Sequence, residues 1–143
     1  MRQAITKRLL ARLGTVDVIL FPLHLGCHWA AIRVYPKKGR IERLDSLPGN
    51  RLGAQVLLIL DLLKKVAMTK FGADSTVYQQ WEIYDQTDLG LQTNGTDCGI
   101  FLLSALRQTF QGGPFLVDQA NTKKARKMIL HEVLTSQLVT PWP

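Results

Sequence analysis

The sequence predicts an α+β fold, in which helices flank a run of strands. Short β-type runs at 16–21, 29–35 and 41–47 follow one another early in the 143-residue chain. Apolar residues then recur at helical spacing over 52–72, and two further helical patterns close the chain. Strands that cluster in sequence, with helices around them, are typical of the α+β class.

The strand candidates are bounded by turn residues. The run VDVILF (16–21) is closed by Pro22, and WAAIRVY (29–35) is joined to IERLDSL (41–47) through PKKGR. Two β-type runs with a short connection that contains Pro and Gly predict a β-hairpin. A further strand candidate, STVYQQWEIYD (75–85), follows the first helical pattern.

Each predicted helix has its own start or stop signals. Short polar residues can cap helix starts, and the predicted N-caps are Asn50, Asp97 and Asn121. Glycines can end helices, and Gly72 and Gly112 are the predicted stops of the first two. The helix at 97–111 is apolar nearly all round as far as Leu106, which predicts a buried, central position. In the last helix, 121–138, we expect the inward face to hold Ala125, Ile129, Val133 and Leu138.

Length and composition indicate a single globular domain over 1–143 in a reducing compartment. Apolar residues make up 46% and charged residues 20% of the chain, which excludes a disordered tail. No apolar run reaches the roughly 18 residues that a membrane span needs, and the basic N-terminus lacks the pattern of a signal peptide. Two cysteines make a poor disulfide framework. We therefore expect an intracellular protein, of the nucleus or cytoplasm, without a membrane partner.

The net charge of +7 raises the question of a nucleic-acid partner. Basic residues fall mainly in three clusters, near the N-terminus, between Arg33 and Arg51, and between Lys123 and Lys127. From Phe71 to Leu106 no lysine or arginine occurs, although several acidic residues do. Such a pattern favours solvated helix faces over a continuous basic track with interleaved aromatics. We therefore expect no nucleic-acid partner, and a nuclear address or a weak nucleic-acid contact is the alternative interpretation.

Cys98 is the candidate nucleophile because it falls at the start of the predicted central helix. The free amides and the positive end of the helix dipole stabilise a thiolate there, and Gly99 leaves room above the sulfur. A nucleophile also needs a base and a group that orients it. His28 opens one strand of the hairpin and Asp45 ends the other, so the two can be neighbours. Gln92 can fold back across the Asn-Gly turn to offer its amide to an oxyanion.

Less specific interpretations stay open for each residue taken alone. Cys98 can be a small core residue, a histidine at a strand edge is often structural, and Asp45 can simply stabilise a turn. A zinc site would draw on His24, Cys27, His28 and Cys98. Two histidines four apart suit a helix face, but Pro22, Gly26 and the β-type pattern argue against a helix there, and no C-x-x-C occurs. A Cys27–Cys98 disulfide is disfavoured, because Cys27 precedes His28 in a strand and points to the opposite face. We expect no metal and no cofactor.

The order His-Trp, Leu-Asp-Ser-Leu and Gln-x-Asn-Gly-x-Asp-Cys-Gly resembles the catalytic domain of the Ulp and sentrin (SUMO)-specific protease family. The likeness runs from Val16 to Val133 and includes FPLHLGCHW, RLDSL and QTNGTDCGIF. The stretch KKARKMILHEV is similar to the closing helix of the family. The resemblance implies a papain-like, adenain-type cysteine protease fold, with a small mixed sheet and the nucleophile at the start of a central helix.

By position, the resemblance implies Cys98 as nucleophile, His28 as base, Asp45 as orienting residue and Gln92 as oxyanion donor. Trp29 would cover a tunnel for the Gly-Gly tail of a modifier, beside Gly99. The implied activity is that of a thiol isopeptidase or endopeptidase, and its partners are a SUMO-like or other ubiquitin-like modifier and its conjugates. The alternatives are an acyltransferase with the same triad and a catalytically impaired remnant that binds the modifier.

The chain departs from the family pattern at its front. Only residues 1–15 precede VDVILFP, and none of them is tryptophan, whereas family domains carry a longer segment with a second tryptophan that closes the tunnel. The expectation is a single Ulp-like catalytic domain that lacks the N-terminal part of the family domain. Either the chain is a trimmed or degenerate copy of that domain, or the tunnel is half open.

Overall fold

The computed structural model describes residues 2–47, 49, 52–74, 80–86 and 88–140. Helices and strands alternate along this part of the chain, which confirms the predicted α+β class. In chain order the elements are α1 (Arg2–Arg12), β1 (Ile19–His24), β2 (Trp29–Tyr35), a 3-10 turn (Pro36–Lys38), β3 (Arg40–Leu44), α2 (Gly53–Phe71), β4 (Glu82–Asp85), α3 (Cys98–Gln111) and α4 (Thr122–Thr135). None of the helices within these ranges is both long and apolar enough to cross a membrane.

The four strands form one mixed sheet in the order β1-β2-β3-β4. The connections at 25–28 and 36–39 are too short for a parallel crossover, so β2 runs antiparallel to both of its neighbours. Strand β4 pairs in parallel with β3, with Arg40 opposite Glu82, and α2 lies in the connection between the two strands. The predicted hairpin and the predicted small mixed sheet are both present.

The strand bounds differ from the sequence prediction at three places. Pro22 lies inside β1 and does not close it, which an edge strand tolerates because its outer amides need no partner. Strand β3 stops at Leu44 because the chain turns at Asp45, whose Oδ1 accepts the N–H of Leu47 at 2.9 Å. The last strand covers only Glu82–Asp85, and residues 75–79 of that prediction lie outside the described part of the chain.

Helix α2 has the predicted C-terminal stop. The N–H of Gly72 donates to the carbonyl of Met68 at 3.0 Å, in a backbone conformation with φ of 96°. The residue at its N-cap position is Leu52, and the expected cap, Asn50, lies outside the described residues.

Helix α4 is shorter than predicted and faces inward over only part of its length. Ala125 is buried and Ile129 packs against the same cluster, but Val133 is 72% exposed and Leu138 is 68% exposed. At 3.6 residues per turn, a position eight residues after Ala125 has turned about 80° away from it. The helix then ends at Thr135 with Ser136 in the left-handed conformation. The inward assignment of Val133 and Leu138 is therefore wrong.

The first helix, α1, was not expected from the sequence pattern. Its segment is rich in polar residues, and of its apolar positions Leu9 is buried, together with Leu13 just after the helix. Lys70 of α2 donates to the carbonyls of Ala11 and Leu13 at 3.4 and 2.6 Å. A lysine ammonium at these carbonyls satisfies the free end of α1, so tertiary contact rather than periodicity defines this helix.

Close contacts divide the chain into two compact units. One comprises Met1–Phe21, Ile32–Arg43 and Asn50–Asp85, and the other comprises Pro22–Ala31, Leu44–Gly49 and Gln86–Pro143. In the first unit α1 packs against α2, and a buried ion pair joins Arg33 Nε to Glu42 Oε2 at 2.6 Å. That a single domain spans 1–143 stays a prediction.

The second unit contains every predicted site residue and has two apolar clusters on α3. One joins α3 to the ends of β2 and β3 and to the loop before α3, through Ala31, Leu44, Leu89, Leu102 and Ala105. The other joins α3 to α4 and to the segment before it, through Ile100, Phe101, Val117 and Ala125. Helix α3 is therefore the central element of this unit, as its apolar pattern predicts, although Leu103 is 42% exposed.

Gly90 lies where the loop before α3 passes the segment before α4. A Cβ at this position would lie 2.5 Å from the carbonyl oxygen of Val117 and 3.1 Å from Cε1 of Phe101. Carbon and oxygen cannot approach each other so closely without a shift of the backbone. The absence of a side chain at Gly90 thus sets the path of the loop that leads to Cys98.

We expect Gly90→Ala to lower the free energy of unfolding by about 3 kcal/mol, because the added methyl must displace backbone. Urea denaturation followed by circular dichroism measures this change. Gly95→Ala is the matched control, since its Cβ would meet nothing within 4 Å, and we expect a change below about 0.5 kcal/mol. Equal stability of the two variants would contradict the close approach at Gly90.

Candidate active site

His28 and Asp45 are hydrogen-bonded across the ends of the hairpin. His28 directly precedes β2 and Asp45 directly follows β3, and Nε2 of the ring lies 2.7 Å from Oδ1 of the carboxylate. Both side chains are less than a tenth exposed. The predicted proximity of the two residues is confirmed, although 17 positions separate them in sequence. An ionised carboxylate only accepts, so Nε2 carries a proton, and Nδ1 is the ring atom left to act as a base.

Cys98 is the first residue of α3, as predicted, and is 6% exposed. The N–H groups of Ile100 and Phe101 donate to the carbonyl of Asp97 at 2.8 and 3.2 Å, so the first turn is regular. The thiol therefore lies at the positive end of the helix dipole.

Trp29 contacts the first turn of α3 through Gly99. A Cβ at Gly99 would lie 4.0 Å from Cδ1 of Trp29, so the indole lies directly beside that residue. The ring of His24 packs against the indole of Trp29, with the ring centroids 4.5 Å apart and an angle of 37° between the ring planes. Trp29 remains 42% exposed. Since Trp29 follows His28 and Gly99 follows Cys98, this contact brings the start of β2 to the start of α3.

The side-chain amide of Gln92 is held at both ends. Its Oε1 accepts the hydroxyl of Ser46 at 2.6 Å, and its Nε2 donates to the carbonyl of Asn94 at 2.5 Å. Because a carbonyl oxygen can only accept, the nitrogen must be the atom that faces Asn94. Gln92 is 5% exposed, and its backbone N–H donates to the carbonyl of Ser46 at 2.9 Å. The loop before α3 is thus tied to the turn that follows Asp45.

Asp97 directly precedes Cys98, and three side chains hold its buried carboxylate. Asn94 Nδ2 and Gln119 Nε2 donate to Oδ2 at 2.8 and 2.7 Å, and Arg126 donates to Oδ1 through Nε at 3.2 Å and through Nη2. The hydrogen bond from Asn94, then that from Arg126, hold the pKa of Asp97 well below its usual value, against the effect of burial. The carboxylate is therefore charged at neutral pH, and Arg126 offsets that charge beside the thiol.

The predicted side-chain caps of α3 and α4 are wrong. Asp97 and Asn121 occupy the N-cap positions, but neither side chain makes a capping hydrogen bond. The carboxylate of Asp97 is engaged by Arg126 and its other partners instead. The amide of Asn121 donates to the carbonyl of Leu116 at 2.7 Å and accepts the N–H of Asp118 at 3.0 Å. Local pattern identified the helix starts, but distant residues engage the side chain of Asp97 and the preceding loop engages that of Asn121.

Four residues of this network were not singled out by the sequence. Two of them, Ser46 and Asn94, stand inside the quoted motifs, where the local signal was only that of a turn. The other two, Gln119 and Arg126, lie beyond α3 and reach back to it. No local sequence pattern predicts Gln119 and Arg126, because hydrogen bonds between residues more than 20 positions apart follow no fixed spacing along the chain.

The residues considered as zinc ligands form no metal-binding cluster in the described part of the chain. Among the described residues, no group of three or more His, Cys, Asp or Glu side chains could hold a metal ion. Cys27 is exposed and Cys98 is buried, and both thiols are free, so the disfavoured disulfide is not formed. His24 packs against Trp29.

Comparison with known proteins gives one consistent answer. Residues 1–138 match the description "Ulp1 protease family, C-terminal catalytic domain". A sentrin-specific protease of Caenorhabditis elegans is 31% identical over 129 residues, which are 86% of this chain and 17% of that protein. Human sentrin-specific protease 3 is 29% identical over 123 residues, 85% of this chain and 21% of that protein.

Solved structures agree with the sequence comparison. The C-terminal Ulp1 protease domain, solved in complex with Smt3, the yeast ortholog of SUMO, has a TM-score of 0.68 and 28% identity, over 91% of this chain and 59% of that one. The chain spans about a fifth of the length of the two sentrin-specific proteases named above. The match of nearly the whole chain to the family description means that the chain belongs to the Ulp1 protease family and corresponds to its C-terminal, cysteine protease catalytic domain.

Proposed function

We propose that the chain is a thiol isopeptidase and endopeptidase that cleaves after the C-terminal Gly-Gly of a SUMO-like or other ubiquitin-like modifier. The observation that carries the proposal is the 2.7 Å hydrogen bond between His28 and Asp45, in the compact unit whose central helix begins at Cys98. A base, an orienting anion and a thiol at a helix start are the parts that a thiol protease needs.

The first half of the reaction forms a thioester. Nδ1 of His28 takes the proton of the Cys98 thiol, and the thiolate attacks the carbonyl carbon of the terminal glycine. The tetrahedral intermediate collapses as the imidazolium gives its proton to the leaving lysine amine. Asp45 holds the ring in the required tautomer and stabilises its positive charge without becoming protonated. The products are the free amine and a modifier thioester on Cys98.

The second half is hydrolysis. Nδ1 of His28 takes a proton from water, and the hydroxide attacks the thioester carbonyl. When the intermediate collapses, the sulfur leaves as a thiolate and the imidazolium restores its proton. The modifier departs as a carboxylic acid that releases its proton to solvent, so that one water is consumed for each bond cleaved.

Gln92 stabilises the oxyanion of both intermediates in this proposal. One hydrogen of Nε2 is used by the carbonyl of Asn94, and within the described ranges the other has no acceptor. A fixed amide hydrogen of this kind, aimed at developing negative charge, is the usual form of oxyanion stabilisation. The first amides of α3 add their partial positive charge.

Trp29 and Gly99 restrict the modifier tail to residues without side chains. The indole lies beside the first turn of α3, and Gly99 adds no bulk there. A Gly-Gly tail fits a slot between an aromatic face and a backbone, and an added methyl would force repacking. The two free cysteines suit a reducing compartment, so we place the activity in the nucleus or cytoplasm.

We expect SUMO that carries a C-terminal electrophile to form a covalent adduct with the protein at Cys98, because only that thiol has a base and a tail-binding slot. Mass spectrometry of the intact protein measures the adduct. Cys98→Ala should form none, and Cys27→Ala, which removes the exposed thiol, should react as the wild type does. Parallel probes of ubiquitin and related modifiers identify the modifier preferred.

The remaining outcomes of the probe experiment separate the alternatives. No adduct with any modifier probe, together with fast alkylation of Cys98 by iodoacetamide at neutral pH, would overturn the modifier-protease proposal and favour an acyltransferase with the same triad. Slow alkylation of Cys98 as well would favour a remnant that only binds a modifier.

We expect Asp45→Asn to lower kcat about 10³-fold, because the imidazole loses its orienting anion. The free energy of unfolding should change by less than about 1 kcal/mol, since the asparagine oxygen still accepts the N–H of Leu47. Turnover of a modifier–coumarin amide and urea denaturation measure the two quantities. Asp85→Asn, which removes a 63% exposed carboxylate, is the matched control and should retain full activity. Full activity of Asp45→Asn would mean that Asp45 is only a turn residue.

We expect fusions with a Gly-Gly junction to be cleaved and matched fusions with Gly-Ala or Ala-Gly junctions to be resistant. Trp29→Ala should raise KM for the Gly-Gly fusion about tenfold while Cys98 alkylates at the wild-type rate. Leu91→Ala, which removes another exposed apolar side chain, is the control and should leave KM unchanged. Equal cleavage of all three junctions by the wild type would exclude a closed slot at Trp29.

A further inference from the structure

We propose that Ser46 is a positioning residue that sets the direction of the Gln92 side-chain amide, and through it the oxyanion site. The inference rests on the proposed role of Gln92 in the thiol protease reaction. It assigns to the serine after Asp45 a task distinct from that of Asp45 itself. Ser46 touches neither the substrate nor the thiol in this scheme and acts only through Gln92.

Ser46 is among the most deeply buried polar residues described, at 2% exposure. Its hydroxyl donates to Oε1 of Gln92 at 2.6 Å, and its carbonyl accepts the backbone N–H of Gln92 at 2.9 Å. Two hydrogen bonds therefore join the same pair of residues, one through side chains and one through the backbone. The backbone bond sets where Gln92 lies, and the hydroxyl sets which way its amide faces.

The direction of the amide decides whether it helps or opposes the reaction. The last torsion of a glutamine side chain has a broad, roughly two-fold preference, so the chain itself does not choose between oxygen and nitrogen. With Oε1 on the Ser46 hydroxyl, Nε2 faces the loop that leads to Cys98. In the opposite orientation a carbonyl oxygen would meet the developing oxyanion, and the two would repel. The hydroxyl of Ser46 and the carbonyl of Asn94 favour the same, productive orientation.

The placement of Ser46 also couples two parts of the site. Its neighbour, Asp45, orients the base through Oδ1, and Ser46 orients the oxyanion donor, so one turn after β3 serves both. An ordinary turn serine would leave its hydroxyl on local backbone or in solvent. Here the hydroxyl reaches a residue 46 positions away in a buried environment, where an unpaired polar atom would be costly.

A double-mutant cycle tests the proposal, with kcat and KM measured on a modifier–coumarin amide for Ser46→Ala, Gln92→Ala and the double variant. We expect Gln92→Ala to lower kcat about a hundredfold and Ser46→Ala about tenfold, with KM unchanged in both. In the Gln92→Ala background, Ser46→Ala should cause no further loss beyond about twofold, because its effect passes through the amide. Alkylation of Cys98 should keep the wild-type rate in all variants.

Ser104→Ala is the matched control, since it removes the hydroxyl of another buried serine, six residues along α3 from Cys98. Its kcat should equal that of the wild type. If Ser46→Ala loses the same factor in both backgrounds, or loses none, the positioning role is overturned. If Gln92→Ala keeps full activity, the oxyanion role of Gln92 fails while the thiol protease function stands.

A second readout does not depend on catalysis. The side-chain amide of Gln92, identified in ¹H–¹⁵N spectra by its loss in Gln92→Ala, should show dispersed and slowly exchanging protons in the wild type. In Ser46→Ala these signals should move to the positions of a free amide, whereas Ser104→Ala should leave them in place. Unchanged signals in Ser46→Ala would overturn the proposal even in a chain that cleaves no modifier.

Discussion

The buried carboxylate of Asp97 is the interaction on which the geometry at the start of α3 depends. A buried charge without partners costs several kcal/mol, so this position is compatible with the fold only when donors surround it. Those donors come from the loop before α3, from the segment before α4 and from α4 itself, through Asn94, Gln119 and Arg126. One anion therefore fixes three pieces of chain against the residue that precedes the thiol.

From this anion a continuous set of contacts leads to His28. Asn94, bonded to Asp97, offers its carbonyl to Gln92, and Gln92 is bonded to Ser46. The neighbour of Ser46 in sequence is Asp45, which holds the ring of His28. His28, Gln92 and Cys98, which are the base, oxyanion donor and nucleophile of the proposed mechanism, are thus positioned by one connected network and not by three independent local structures.

Sequence pattern predicted those elements whose signals are local. The alternation of β2 and the glycine stops of α2 and α3 lie within a few residues, and the hairpin geometry was enough to pair His28 with Asp45. The prediction failed where a distant residue decided the outcome. Lys70 completes α1, and Arg126 takes the side chain of Asp97 away from capping, and neither interaction has a spacing that can be read along the chain.

The same reasoning explains why the proposed site residues could be singled out from the sequence while the residues that support them could not. Nucleophile, base and orienting anion must be particular residue types at particular elements, so their chemistry limits the choices. A buried hydroxyl or amide that only holds another side chain can come from many places in the fold. Ser46 and Gln119 are examples, since each is a common polar residue in a turn or loop.

The position of Arg126 in the chain has a consequence for how the protein is made. Ribosomes deliver His28, Asp45 and Cys98 well before they deliver α4. Until Arg126 emerges, the charge on Asp97 lacks the guanidinium that offsets it. The residues of the proposed site are therefore synthesised before the cation that balances the buried charge beside Cys98.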